Sequence, residues 1–486
     1  MSHFLGIDIG TSAIKAAIWN SETGEGHTAT SPSNGELALK ASQPGWAEQE
    51  PLDWWLHTVQ AVQSLPAEAR GKVQAIGITY QMHGLVVLDD NLTPVRPSII
   101  WCDSRATLYG AAAMQKLGKD YCFSHLLNSP GNFTAAKLAW VKENEPEIYK
   151  QIIWAMLPGD YIAAKLTSKA ATTESGLSEM ILWDFEEKKL AQPVLEAMSL
   201  DIRLYPPIVP TFGSQGLVQS TSANLLGIPE GRRVSYRAGD QPNNAFSLGC
   251  LNPGDVAATA GTSGVVYGIS DTPVLDPSQR FNTFLHVNNS AANPRFGLLL
   301  CINGCGSLYS WLHNKLFGRT LTYPQMNALS AQAPVGSDGL LLYPFGNGAE
   351  RILGSQNASA SLANLDFQRH DQRHICRAAQ EGIGFALRYG MEAGIEASTI
   401  RAGDANLFQS DVFAQTVANL TKAKVEIWNT DGAIGAARGA AVGFGHFARP
   451  EDAFGDMRVA RSFEPSAADG EALESAYQAW KSGLPR

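Results

Sequence analysis

The tripeptide Gly-Thr-Ser stands at Gly10–Ser12 and again at Gly261–Ser263, about half the chain later, and each copy is flanked by apolar runs. The first lies between Phe4-Leu5-Gly6-Ile7-Asp8-Ile9 and Ile14-Lys15-Ala16-Ala17-Ile18-Trp19-Asn20, the second between Ala258-Thr259-Ala260 and Val265-Val266-Tyr267-Gly268-Ile269. Two apolar runs joined by a tight Gly and hydroxyl turn read as a β-hairpin. The same hairpin in each half, the second preceded by the turn Pro253-Gly254, points to a duplicated domain. A chain of 486 residues also exceeds what one core fills, ~250–300 residues. The expected division is 1–247 and 248–486, at the helix end and turn spanning Leu248 to Gly254. Between the hairpins, helical spacing from Pro51 to Leu65 gives way to a strand over Val73–Thr79, and helices and strands alternate thereafter, which is an α/β pattern. Asp431 to Ala441 reads as a small-residue helix able to pack closely on a neighbour, and Ala467 to Trp480 as a surface helix.

A net charge of -9 excludes nucleic acid and anionic membrane as main partners. The sequence contains no run of ~20 apolar residues and no leader ahead of the first strand, so a cytoplasmic protein acting on a small molecule is expected. The six cysteines lack zinc-site spacing and are expected to be reduced and buried.

Four constellations carry chemistry. Asp8-Ile9-Gly10-Thr11-Ser12 sets a carboxylate at a strand end beside N–H and hydroxyl donors, the combination a phosphate with bound Mg²⁺ requires; alone it also reads as an ordinary hairpin. Gly239-Asp240-Gln241-Pro242 reads as a loop entering a helix with Pro242 at or near its first position, which puts Asp240 at the positive helix end, either as a simple cap or as a weak base. For phosphoryl transfer a weak base suffices, because the attacking hydroxyl becomes acidic only late. Tyr80-Gln81-Met82-His83-Gly84 mixes apolar and polar groups as a polyhydroxyl ligand demands, although a lone His also reads as a core residue. Arg401-Ala402-Gly403-Asp404-Ala405-Asn406 offers a flat approach at Gly403 and an amide at Asn406 able to pair with a purine edge, or a plain turn.

In this order these residues resemble the FGGY family of carbohydrate kinases, of the actin, Hsp70 and hexokinase superfamily, from Leu5 to about Gly445. Glu381-Gly382-Ile383-Gly384-Phe385-Ala386 belongs to the same pattern, while Gln81-Met82-His83-Gly84, Ile99 to Arg105, Phe133 to Trp140 and Leu157 to Tyr161 look most like xylulose kinases. The resemblance implies an α/β fold of two ribonuclease-H-like domains with an active-site cleft between them, and ATP-dependent phosphorylation of D-xylulose at its 5-hydroxyl or of another ketose or polyol (ribulose, a pentitol, glycerol), with a sugar-independent ATPase as the rival activity. It implies Asp240 as catalytic base, Met82, His83, Asp240 and Gln241 as sugar contacts, and Thr11, Ser12, Gly261, Thr262, Gly306, Ser310, Gly403 and Asn406 as the nucleotide surface. Asp8 is implied beside Mg²⁺, and a homodimer is a possible assembly. The sequence departs from the family where Arg401-Ala402-Gly403 replaces a run of three glycines and Gln241-Pro242-Asn243 follows the base.

Overall fold

The computed structural model describes residues 2–485, which form two compact units. The first takes the chain as far as Gly249, with Phe284–Arg295 and Asp431–Met457; the second takes Cys250–Thr283, Phe296–Thr430 and the chain from Arg458 onward. A single cut at residue 247 therefore misses two excursions, both of which return to the first unit.

Five strands form the sheet of the first unit: β1 (His3–Ile9), β2 (Ile14–Asn20), β3 (Gly26–Ser31), β4 (Val73–Tyr80) and β5 (Arg233–Gly239), in the order β5-β4-β1-β2-β3. The β1–β2 and β2–β3 pairs are antiparallel, and β1, β4 and β5 run parallel. The second unit contains β6 (Asp255–Ala260), β7 (Gly264–Ser270), β8 (Phe281–Leu285), β9 (Phe296–Ile302), β10 (Thr399–Gly403), β11 (Lys424–Trp428) and β12 (Val459–Phe463), in the order β8-β9-β7-β6-β10-β11-β12. Its inner five repeat the pattern of the first sheet: antiparallel across β9, β7 and β6, parallel across β6, β10 and β11. Both Gly-Thr-Ser turns join the first two strands of this pattern.

Packing on the first sheet follows from residue size. Helix Gly432–Phe444 is built of Gly, Ala and little else, and its Ala437, Ala440 and Ala441 join Phe4, Trp19 and Ala75 in one buried cluster. Small residues let the helix backbone approach the strands directly. A Cβ on Gly6 of β1 would fall 1.8 Å from the Ala433 carbonyl oxygen, and one on Gly77 of β4 would fall 2.0 Å from that of Ala436. The helix is further tied by Arg438, whose guanidinium pairs with Asp456 at 2.6 Å and lies 4.3 Å from the Trp19 ring.

In the second unit, helix Gln372–Met391 carries the Glu381–Ala386 stretch wholly buried, and Glu381 accepts hydrogen bonds from Gly336 N–H at 2.9 Å and Arg377 at 2.8 Å. Helix Ala467–Ser482 is the surface helix expected, with one face turned inward. Leu473, Tyr477 and Trp480 fall on one face at helical spacing and are buried, with Trp480 stacked on Tyr343 at 5.4 Å. None of the six cysteines forms a disulfide, but Cys102 is exposed and Cys301 half-buried, against the expectation that all are buried. Among the described residues no helix is long and apolar enough to cross a membrane.

Because the clash at Gly77 is with helix backbone, which no rotamer change relieves, Gly77→Ala should destabilise the first unit by ~1–3 kcal/mol. Denaturant unfolding followed by Trp19 and Trp54 fluorescence measures this. An unchanged midpoint would show that helix and sheet separate without cost.

Candidate active site

The parallel run of β1, β4 and β5 brings their carboxyl ends to one edge, where open α/β sheets receive ligands. Thr79 is in register with Asp8 on one side and with Ala238 on the other, so Ile9, Tyr80 and Gly239 end side by side with Asp8 one residue before them. Asp240 opens helix Asp240–Ser247 immediately beyond β5, with Gly239 as its cap. The helix therefore starts two residues earlier than Pro242 implied; Asp240 itself holds the first helical position, and Pro242 the third.

Burial pushes the Asp240 carboxyl up to about 6, against hydrogen bonds from the main-chain N–H groups of Gln241 and Asp240 and from the Gln241 side chain. Gln241 is thus engaged with Asp240. Asp8 is pushed up to about 7, chiefly by burial and then by the negative charge of Asp240, with Lys15 opposing and Asp431 adding. Lys15 stands opposite Asp8 in the hairpin and reaches to 3.9 Å from Asp431. Asp431 caps helix Gly432–Phe444, accepting from Ala433 N–H at 2.8 Å and Ile434 N–H at 3.1 Å. That helix starts directly against Asp8, since a Cβ on Gly432 would lie 2.8 Å from an Asp8 carboxylate oxygen. Three carboxylates and one ammonium share this edge.

The segment after β4 forms a second face. Gln81 and Met82 are buried, and a Cβ on Gly239 would lie 2.5 Å from Met82 Cγ, so the residue before Asp240 rests on Met82. His83 has φ +62°, the left-handed region that side chains disfavour. Its ring meets Phe133 edge-on at 4.8 Å and Phe284, from the first excursion, at 5.4 Å. Its Nδ1 lies 2.9 Å from the Glu179 carbonyl oxygen, which can only accept, so Nδ1 carries the proton. Glu179 is buried and also accepts from Tyr80 Oη at 2.6 Å; burial, and after it Asp240, hold its carboxyl well above the usual range against the Tyr80 hydrogen bond.

At the first turn, Thr11 Oγ1 accepts from Trp101 Nε1 at 2.9 Å and donates to Gln81 Oε1 at 3.3 Å, and Gln81 in turn donates to Gln49 at 2.9 Å. Its hydroxyl is committed to this network, so what Thr11 offers a phosphate is main-chain N–H. Ser12 is exposed.

The second unit brings its own set together. Gly306 N–H donates to Gly261 carbonyl at 2.8 Å and Ser307 N–H to Thr262 carbonyl at 3.0 Å, so the second Gly-Thr-Ser turn lies on the start of helix Cys305–Trp311. A Cβ on Gly306 would fall 2.2 Å from the Gly261 oxygen. Asn406, with φ +56°, places its amide nitrogen 3.5 Å from the Cβ position of Gly261. Thr262 is exposed, and a Cβ on Gly403 would meet nothing within 4 Å, so both face open space. Ser310, one turn after Gly306, accepts from Asn314 at 3.0 Å through its hydroxyl.

Lys15, Glu179 and Asp431 were not singled out from sequence. Hairpin register alone places Lys15 opposite Asp8, and Asp-Gly before an alanine-rich run marks Asp431 as a cap. Glu179, inside Thr173-Glu174-Ser175-Gly176-Leu177-Ser178-Glu179, carries no local signal.

Residues 3–247 match the N-terminal domain of the FGGY family of carbohydrate kinases, and residues 256–444 its C-terminal domain. The chain belongs to this family. Among its relatives, the xylulose kinase of Haemophilus influenzae is 29% identical over 445 residues, 87% of this chain and 86% of that one. The crystal structure of a xylulose kinase from Rhodospirillum rubrum superposes with a TM-score of 0.87 at 24% identity, covering 99% of this chain and 98% of that one. That of a gluconate kinase from Lactobacillus acidophilus superposes with 0.90 at 20% identity, covering 99% and 97%. These likenesses establish the two-domain actin and hexokinase type of fold, and the chain is a carbohydrate kinase.

A carboxyl group raised by burial makes its ionised form a burden on the fold. Asp240→Asn, which mimics the neutral acid, should therefore stabilise this kinase at pH 8 in the presence of a chelator, by ~1–3 kcal/mol. The sign follows from protonation: between the unfolded value of 3.8 and the folded value of about 6 the native state binds more protons. The gain is thus full above pH 6 and gone below about pH 4. Melting curves of both proteins across this range measure it; a destabilised variant at pH 8 would contradict the raised carboxyl.

Proposed function

We propose that this kinase transfers the γ-phosphoryl group of ATP to a hydroxyl of a ketose, D-xylulose to D-xylulose 5-phosphate, with Asp240 as the base. The observation that carries the reading is the place of Asp240. It is the first residue of a helix at the carboxyl edge of the sheet, adjoining Met82 through Gly239 and close enough to Asp8 to act on its charge.

In this reading the apolar surfaces of Met82, Phe133 and Phe284 receive the C–H faces of the sugar, and His83 binds a hydroxyl. Asp240, held by Gln241 and by main-chain N–H groups, orients the attacking hydroxyl and accepts its proton as the bond to phosphorus forms. A carboxyl near 6 is mostly ionised at neutral pH yet more basic than a free aspartate, which suits a late proton transfer. Gly261, Thr262, Gly306, Ser310, Gly403 and Asn406 are read as the nucleotide surface, and the N–H groups at Thr11 and Ser12 as donors suited to phosphate.

Asp8 suits Mg²⁺, since burial, and after it the charge of Asp240, lift its carboxyl, and a divalent cation would favour the ionised form. Among the described residues no three His, Cys, Asp or Glu converge as a ligand set, so the ion would keep water and phosphate oxygens as its other ligands. When bound, Mg²⁺ neutralises phosphate charge. The choice of xylulose rests on the names of the curated relatives and on the match of Gln81-Met82-His83-Gly84. A cytoplasmic setting and a homodimer remain part of the proposal.

ADP release should show its highest kcat/KM with D-xylulose among ribulose, pentitols, glycerol and gluconate, and only a slow rate without sugar. Asp240→Asn should lower kcat at least ~10²-fold while ATP still binds. A better substrate elsewhere in the panel would reassign the sugar. Equal ADP release with and without sugar would replace the kinase reading by a sugar-independent ATPase, and wild-type turnover in the variant would remove Asp240 from the mechanism.

A further inference from the structure

Lys137 lies on helix Thr134–Asn144 and its side chain is wholly buried. Its Nζ donates to the main-chain carbonyl of His83 at 2.7 Å. On the opposite side of the same residue, the His83 N–H donates to Glu179 Oε2 at 3.3 Å, and the ring Nδ1 donates to the Glu179 carbonyl at 2.9 Å. One residue is therefore gripped at its amide and its carbonyl by two buried ionisable side chains and at its ring by the Glu179 main-chain carbonyl, while its φ of +62° lies in the left-handed region that side chains disfavour.

Packing alone does not call for these groups. The neighbours of Lys137 on its helix, Ala135, Ala136, Leu138 and Val141, are apolar and buried, and a methionine would fill the same space without a buried ammonium. Burial pulls the Lys137 ammonium down to about 7, with the charge of Asp103 opposing most and those of Cys102 and Glu179 following. Both side chains bond the main chain of one strained residue, Glu179 while also accepting from Tyr80, so that residue's conformation is one thing they maintain.

We propose that Lys137 and Glu179 are positioning residues: together they clamp His83 in its left-handed conformation and so aim its imidazole at the acceptor sugar. This rests on the reading that His83 contacts the sugar. It also fixes the ring's chemistry. With the Nδ1 proton committed to the Glu179 carbonyl, it is the Nε2 side of the ring that would meet the sugar hydroxyl.

A double-mutant cycle between Lys137→Met and His83→Ala separates the possibilities, read as kcat/KM for the ketose, KM for ATP and melting temperature. Lys137→Met should lower ketose kcat/KM about ten- to hundredfold with KM for ATP within about twofold. In the His83→Ala background it should cost less than about twofold further, because a clamp has nothing left to hold. Losses that multiply in the double variant, or equal damage to both substrates, would show a merely structural lysine and overturn the clamp. If Lys137→Met does not fold, the same cycle is run with Glu179→Gln, which keeps size and shape. A His83→Ala variant with wild-type ketose kinetics would instead remove the sugar-contact reading beneath the proposal.

Discussion

The contact on which the first unit depends is backbone against backbone: helix Gly432–Phe444 lying directly on Gly6 of β1 and Gly77 of β4, with no side chain between them. Two central glycines on the strands and a run of alanines on the helix are needed together, since a Cβ at either glycine would overlap a helix carbonyl. The approach determines more than stability. It brings the start of the helix, with Asp431 as its cap, to the carboxyl edge of the sheet, where Asp8 already stands one residue before the end of β1. The segment that completes this edge comes from residues far along the chain, so the edge is assembled only when the excursion has packed.

At that edge the energetics run against the fold and in favour of chemistry. Asp8 and Asp240 both sit where burial raises their carboxyls, and each adds to a shared negative field that Lys15 only partly offsets. The Asp240 helix and the Gly432–Phe444 helix both present their positive ends here, which favours anions and keeps the carboxylates from being neutralised outright. Such concentrations of desolvated acid are what a phosphoryl-transfer site with a cation requires, and they are tolerated because the sheet and its glycine-packed helix supply stability elsewhere. His83 shows the same economy in backbone form, a disfavoured conformation maintained by Glu179 and Lys137.

Much of this was legible in the sequence. The two Gly-Thr-Ser turns, the strands around them and the helix start near Asp240 follow from local chemistry: apolar alternation, turn residues and a cap. Local rules placed helix Gly432–Phe444 as a close-packing element but did not say against what, because long-range partners leave no mark at short spacing. They placed Ala467–Ser482 at the surface but did not single out its inward face, although Leu473, Tyr477 and Trp480 recur at i, i+4 and i+7. Glu179 and Lys137 were invisible for a different reason. A Glu or Lys on a helix is usually solvated, and only the fold reveals that these two are enclosed around one residue. Pro242 misplaced the start of its helix by two residues, since proline is tolerated through the whole first turn and not only at its first position.

The central claim is that the carboxyl edge of the first sheet is where the acceptor hydroxyl meets its base. A crystal structure with D-xylulose and a non-hydrolysable ATP analogue tests it most directly. The account predicts the reacting hydroxyl within hydrogen-bond reach of the Asp240 carboxylate, roughly 2.6–3.2 Å, with His83 on another hydroxyl of the same sugar. A sugar bound with its hydroxyls well beyond that reach of Asp240, or seated away from this edge altogether, would contradict it.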